Sequence, residues 1–129
     1  MKNVFLSYAN VDRHAAERLI SQFRDVSVAG WRDAADLAAG GAVSDSVREA
    51  LRSSSAVIVL FSPRSLGSEW VQFEMGAAEA LGKKIIAVII DGENIEQSLP
   101  VPLGEVRWLD ARNKAPQEVA RDIEKALTQ

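Results

Sequence analysis

Apolar and polar positions alternate in blocks along this chain, and the blocks predict strands and helices in turn. Continuous apolar runs at 4–6, 56–61 and 84–90 predict three strands, and the last two are expected to be buried on both faces. Weaker runs at 26–31 and 106–109 predict two more strands, of which the second is expected at an edge. The chain is therefore predicted to contain five strands.

The segments between the strands carry apolar residues at helical spacing. Asp12 is expected to cap the first helix, Ser68 a helix that ends at Gly82, and Pro116 fits the first turn of the last helix. The apolar positions are Ala16, Leu19, Ile20 and Phe23 in the first helix, Val43, Val47, Ala50 and Leu51 in the second, and Val119, Ile123, Ala126 and Leu127 in the last.

Strands that alternate with helices predict an α/β fold with a parallel sheet and helices on both faces. Five strands suit the flavodoxin-like order 2-1-3-4-5, in which ligands bind at the carboxyl ends of the strands where the order reverses. The loops that meet at that point, between strands one and three, are residues 7–11 and 62–67.

The stretch from Ser62 to Gly76 continues from one of these loops and carries the most distinctive side chains. Trp70 and Glu74 are four residues apart, so they share one face of the predicted helix. A carboxylate beside a large aromatic residue indicates a site. The alternative is that Glu74 is a solvated carboxylate, as most helical glutamates are.

Composition narrows the classes of protein. The 129 residues predict a single domain over 1–129, and a net charge of -3 argues against a nucleic-acid partner. There is no cysteine, which excludes disulfides and thiolate zinc sites, and no apolar stretch long enough to span a bilayer. A soluble cytoplasmic protein without membrane contact is expected.

Several familiar catalytic motifs are absent. The chain contains no dinucleotide-binding G-x-G-x-x-G, no phosphate-loop motif and no G-x-S-x-G, and the single histidine, His14, is expected at the surface. Ser7 and Tyr8 follow the first strand, where acidic receiver domains carry an acidic cluster, and the usual metal ligands are missing. Carboxylate chemistry beside aromatic and hydroxyl groups remains, and it suits work on a sugar.

Five segments in order resemble the Toll/interleukin-receptor (TIR) domain family, over almost the whole chain. V-F-L-S-Y at 4–8 resembles the first sequence box of that family, and the loop with Asp33, Leu37 and Gly40 resembles its BB loop. The remaining three are V-I-V-L-F-S-P at 57–63, S-E-W-V-Q-F-E at 68–74 and the strand after Gly82-Lys83-Lys84.

The resemblance implies an enzyme that cleaves NAD+ at the nicotinamide–ribose bond, with NAD+ as substrate and no cofactor. Glu74 matches the catalytic glutamate that follows a tryptophan by four residues in NAD-cleaving TIR domains. By the same resemblance, Trp70 walls the substrate pocket, and Ser7, Tyr8 and Asp33 line its rim.

Partners also follow from the resemblance. Self-association with other TIR domains, through a BB loop that includes Asp36, Leu37, Gly40 and Gly41, is expected to activate the enzyme. Bacterial relatives act in this way in antiphage defence, under a sensor domain or a separate regulatory protein. By pattern alone, the loop is equally compatible with a plain connector.

Other interpretations and departures stay open at this point. A non-enzymatic TIR adaptor is the main alternative, and a nucleotide-binding flavodoxin-like domain unrelated to TIR is a third. Ala9-Asn10 stands where some NAD-cleaving relatives have a basic residue, and Ala87 where many have proline. Trp31 and Trp108 are expected to pack in the core or at an edge. Both linear and cyclic ADP-ribose products remain possible.

Overall fold

A computed structural model describes residues 2–23, 26–30, 49, 52–63, 82–92 and 106–128. This part of the chain contains strands β1 (Lys2–Ser7), β2 (Val26–Gly30), β3 (Ala56–Phe61), β4 (Lys84–Ile89) and β5 (Val106–Asp110). It also contains helices α1 (Arg13–Ile20), which follows a short 3-10 turn (Asn10–Asp12), and α2 (Pro116–Leu127).

The strands form one parallel sheet in the order β2-β1-β3-β4-β5. Val4 pairs with Val28 of β2 on one side and with Ala56 of β3 on the other, so β1 lies inside the sheet. The α/β class and the parallel sheet predicted from the blocks of apolar residues are therefore confirmed.

The core between the sheet and the two helices is apolar and closed to solvent. Its strand residues alternate with a period of two, and its helix residues recur every three or four positions, as burial of one face requires. The members are Val4, Leu6, Tyr8, Ala56, Ile58, Leu60, Ile86 and Val88 from the sheet and its β1 end, Ala16 and Leu19 from α1, Ala111 after β5, and Val119, Ala120, Ile123, Ala126 and Leu127 from α2.

Alternate strand residues point to the opposite face of the sheet, and they are also buried. Phe5, Val57, Val59 and Phe61 are each at most 1% exposed. Among the described residues the helices cover the α1–α2 face alone, so helices on the second face stay a prediction. Residues 31–48, 50–51 and 64–81, which contain the apolar positions of the expected second helix and the whole helix expected to bear Glu74, lie outside the described residues.

The ends of α1 and the start of α2 can be compared with the boundaries expected from the sequence. Helix α1 ends at Ile20, and Phe23 packs against the core from the turn beyond it and not from a helical position. Asp12 occupies the N-cap position but makes no capping hydrogen bond with its side chain. Helix α2 begins at Pro116 as expected, because proline has no N–H to lose in a first turn.

The small residue Ala87 allows two aromatic rings to meet across β4. Ala87 pairs with Val59 on one side and with Trp108 on the other. The Trp108 ring reaches over it to Phe61, with ring centroids 5.9 Å apart and a tilt of 41°. The prediction that Trp108 packs at an edge strand is confirmed; Trp31 lies outside the described residues.

Lys83 joins two segments at the amino edge of the sheet. Its Nζ donates hydrogen bonds to the carbonyl oxygens of Arg52 at 2.6 Å and Ser54 at 2.7 Å, just before β3 begins. Gly82, immediately before it, has a φ of 68°, a left-handed conformation that suits the expected helix-terminating glycine. The lysine thus links the segment that leads into β3 to the segment that leads into β4.

We expect Lys83→Met to lower the free energy of unfolding by about 1–3 kcal/mol, because two carbonyls lose a charged donor in a partly buried place. Urea denaturation checks this, with Lys125→Met as the control, because Lys125 is an exposed lysine of α2. Equal midpoints for the two variants would show that the Lys83 bonds contribute nothing net.

Candidate functional site

The carboxyl ends of β1 and β3 bring three polar side chains to the edge where the strand order reverses. Ser7 is the last residue of β1, and Ser62 directly follows β3. Asp12 belongs to the 3-10 turn that leads from β1 into α1. All three are buried: Ser7 and Ser62 are 0% exposed, and Asp12 is 3% exposed.

Asp12 and Ser62 form a direct hydrogen bond. The Ser62 hydroxyl donates to Asp12 Oδ2 at 2.7 Å, across 50 positions of sequence. The Asp12 backbone N–H donates to the Ala9 carbonyl at 2.8 Å, which fixes the turn that presents the carboxylate. A bond from a hydroxyl to a buried carboxylate is among the stronger protein hydrogen bonds, so it ties the two loops together.

Among the described residues, Ser7 has a buried hydroxyl without a hydrogen-bond partner. Its Oγ makes no hydrogen bond within the described part of the chain, although the residue is fully buried. A buried hydroxyl without a partner costs about 1–3 kcal/mol, so such a group in a native protein calls for an explanation, and a functional role is one. Ser7 is therefore the described residue at this edge with unused hydrogen-bonding capacity.

The two predicted rim residues at the end of β1, Ser7 and Tyr8, lie on opposite faces of the sheet. Ser7 pairs with Val59 and shares the face of Phe5, away from α1 and α2. Tyr8 is 2% exposed and belongs to the core beneath α1 and α2. The substrate-binding roles of both residues stay predictions, and the structure brings them to the same edge without placing them on one face.

The other predicted site residues lie outside the described residues. These are the expected catalytic Glu74, the substrate-binding Trp70 and Asp33, and the BB-loop positions Asp36, Leu37, Gly40 and Gly41. His14 is exposed, as the sequence predicts. No group of three or more potential metal-ligating side chains occurs among the residues with described positions.

Sequence reasoning missed the partnership of Asp12 and Ser62. The sequence explains Asp12 as a helix cap and Ser62 as the first residue of a loop. Neither local pattern therefore indicates that the two side chains bind each other. The available signal was topological, because the loops after the first and third strands meet where the order reverses. Only the turn at 10–12 decides which side chain reaches across.

A second polar group lies at the carboxyl ends of β4 and β5. The Arg112 guanidinium donates to both oxygens of the Asp110 carboxylate, from Nε and a terminal nitrogen at 2.9 Å each, and to the Gly92 carbonyl at 2.6 Å. These groups line a polar surface pocket of about 540 Å³ with Ile90, Asp91 and Asn113. Arg112 thus connects the end of β5, through Asp110, to the segment that follows β4, through Gly92.

The Arg112 contacts set the acidity of Asp110. Hydrogen bonds from the arginine side chain and backbone N–H lower the pKa of Asp110 from 3.8 to about 2. Because the folded pKa is depressed, the pair stabilises the fold above pH 4 and loses that contribution as the pH falls towards 2. Asp110 is 56% exposed, so the contribution is at most about 1 kcal/mol.

We expect Asp110→Asn to lower the melting temperature at pH 7 slightly and to have no such effect at pH 2. Thermal unfolding of both proteins across this range by circular dichroism measures the difference. A gap between variant and wild type that stays constant from pH 7 to pH 2 would contradict a role for Asp110 ionisation.

A smaller apolar pocket of about 120 Å³ lies on the α1–α2 side, between Leu19, Leu60, Ile90, Ala111 and Val119. Arg18 and Lys114 stand at its mouth. Ser7, Asp12 and Ser62 line neither pocket, so this group of three buried polar residues is distinct from both pockets. Among the described helices, none has the length and apolar character required to cross a membrane.

Comparison with protein families identifies the chain. The model of the TIR domain matches residues 4–127, from within β1 to the last residue of α2. The chain belongs to the TIR domain family. No curated protein matches the chain in a sequence comparison. The TIR domain match covers Ser7, Asp12 and Ser62 as well as Trp70 and Glu74.

Proposed function

We propose that this TIR domain is an NAD+ glycohydrolase or cyclase with Glu74 as its catalytic residue. One observation carries the proposal: in a chain that belongs to the TIR family, Glu74 follows Trp70 by four residues, as the catalytic glutamate does in NAD-cleaving members. NAD+ is the substrate, and the reaction uses no further cofactor.

The chemistry breaks the bond between the nicotinamide nitrogen and C1′ of the ribose. Nicotinamide leaves with the bonding electron pair as a neutral molecule, and positive charge develops on the ribose. The Glu74 carboxylate stabilises this charge, and the stabilisation is stronger in a site from which water is excluded. Attack by water at C1′ yields ADP-ribose and a proton; attack by the adenine nucleotide yields a cyclic isomer.

The described fold supports a site at this edge. Ser62 begins the segment that continues to Glu74, and β3, which precedes it, is buried along its whole length. Ser7 ends the neighbouring strand β1, and its hydroxyl has no hydrogen-bond partner among the described residues. In a flavodoxin-like arrangement with helices on both faces, which we infer for the whole chain, this is the edge at which ligands bind.

Self-association is the proposed control. Contacts of Asp36, Leu37, Gly40 and Gly41 with a second TIR domain would order the loop beside the pocket and complete the site. A sensor domain or a separate protein would bring the copies together in the cytoplasm, and depletion of NAD+ or a cyclic product would serve antiphage defence.

Nicotinamide release from NAD+ tests the proposal. Wild-type protein is assayed over a range of concentrations, with and without a crowding agent, and chromatography separates ADP-ribose from cyclic products. We expect turnover per molecule to rise with concentration as the domain assembles. Assembled protein that releases no nicotinamide would overturn the proposal and favour a non-enzymatic interaction module.

A further inference from the structure

Asp12 stands at the N-cap of α1, where an aspartate ordinarily accepts a hydrogen bond from a backbone N–H of the first turn. Its side chain makes no such bond. Oδ2 is turned instead towards Ser62 and accepts the hydroxyl at 2.7 Å, with both residues buried. The carboxylate thus binds the residue that follows β3 and does not cap its own helix.

The end of β3 is held from both sides. Towards β4, the Phe61 carbonyl accepts the Ile90 backbone N–H at 2.9 Å, and towards β1, Ser62 is bound by Asp12. Pro63 follows, and its ring fixes its own φ and restricts the backbone of Ser62. The backbone from Ser62 to Pro63 therefore has few accessible conformations, so the orientation of Ser62 largely sets that of Pro63.

We propose that Asp12 is a positioning residue for the segment that begins at Ser62 and carries Glu74. The proposal rests on the catalytic role of Glu74 proposed above. Asp12 acts through its bond to Ser62, the residue at which this segment begins, and not on the reacting atoms. A displacement of about 1 Å at a catalytic group can cost roughly 100-fold in rate, so a remote bond of this kind affects turnover.

The test compares Ser62→Ala, Asp12→Ala and Asp12→Asn with wild type. Ser62→Ala removes a single oxygen and keeps the backbone restriction, which makes it the variant expected to fold best. We expect both alanine variants to lower kcat by about 10- to 100-fold with little change in KM. Asp12→Asn keeps an oxygen that can accept the Ser62 hydroxyl, and it should lose less activity than Asp12→Ala.

Hydrogen exchange provides a readout that does not depend on activity. In Ser62→Ala, exchange should accelerate in a peptide covering residues 62–69. Lys83→Met is the matched control, because Lys83 binds at the amino edge of the sheet, at the opposite ends of the strands. It should lower the melting temperature while leaving kcat and exchange in this peptide at wild-type values.

Two results would overturn the inference. One is wild-type exchange in residues 62–69 of Ser62→Ala; the other is a kcat that falls in Lys83→Met as it does in Ser62→Ala, which would mean that general destabilisation lowers activity. If wild type itself releases no nicotinamide when assembled, the proposed function fails, and the exchange comparison alone decides whether the Asp12 bond holds this segment.

Discussion

Glu74→Gln should lower the rate of nicotinamide release by about 100- to 1000-fold, the usual loss when one electrostatic partner of a transition state is removed. Glutamine has nearly the same size and still forms hydrogen bonds, but it carries no charge. The developing positive charge on the ribose therefore loses its counter-charge while ground-state contacts change little. We expect most of the loss in kcat and little change in KM.

Glu79→Gln is the matched control for this prediction. It makes the same chemical change five residues further along the same predicted helix, away from the face of Trp70 and Glu74. Its rate should stay within about twofold of wild type, as for a surface change remote from the site. Circular dichroism establishes that both variants fold. Equal rates for Glu74→Gln and Glu79→Gln would remove Glu74 from the mechanism.

Ile58→Ala should be the most destabilising of these substitutions, with a loss of about 2–5 kcal/mol in the free energy of unfolding. Ile58 is 0% exposed and lies on the central strand β3, on the face covered by α1 and α2. It pairs with Leu6 of β1 and Ile86 of β4, so neighbouring strands hold the backbone in place around any cavity. Urea denaturation at pH 7 measures the loss.

Two further substitutions show how the loss of stability depends on burial and on the number of carbon atoms removed. Val11→Ala removes apolar carbons from a side chain that is 62% exposed, and it should change stability by less than about 0.5 kcal/mol. Ile58→Val removes one methylene group and should cost about 0.5–1.5 kcal/mol. If Ile58→Ala were no more harmful than Val11→Ala, Ile58 would not occupy a tightly packed core.

Strands were the most predictable elements of this protein, because the sheet core demands uninterrupted apolar runs. The prediction of a strand at 56–61 agrees with β3 at both ends, and the run at 84–90 exceeds β4 by one residue. Helix ends were less predictable. The apolar spacing of Phe23 continued past Ile20, yet the chain turned there and buried Phe23 from outside the helix.

For the candidate site, too, some features could be predicted from the sequence and others could not. Glu74 and Trp70 are recognisable from their spacing and from the family pattern, because both signals are local in the chain. The bond between Asp12 and Ser62 joins positions 50 apart, and local preference pointed to a helix cap instead. Neither residue type nor spacing indicates which partner a buried carboxylate will choose.

The sequence by itself indicated the α/β class, the family and Glu74 and Trp70 as candidate site residues, since apolar periodicity and short motifs lie in neighbouring residues. Tertiary structure alone decided which face of the sheet Ser7 takes and which Tyr8 takes, that Trp108 reaches Phe61 over Ala87, and that Asp12 binds Ser62. These depend on strand register and on the angle of one turn. Both arise only when distant segments pack together.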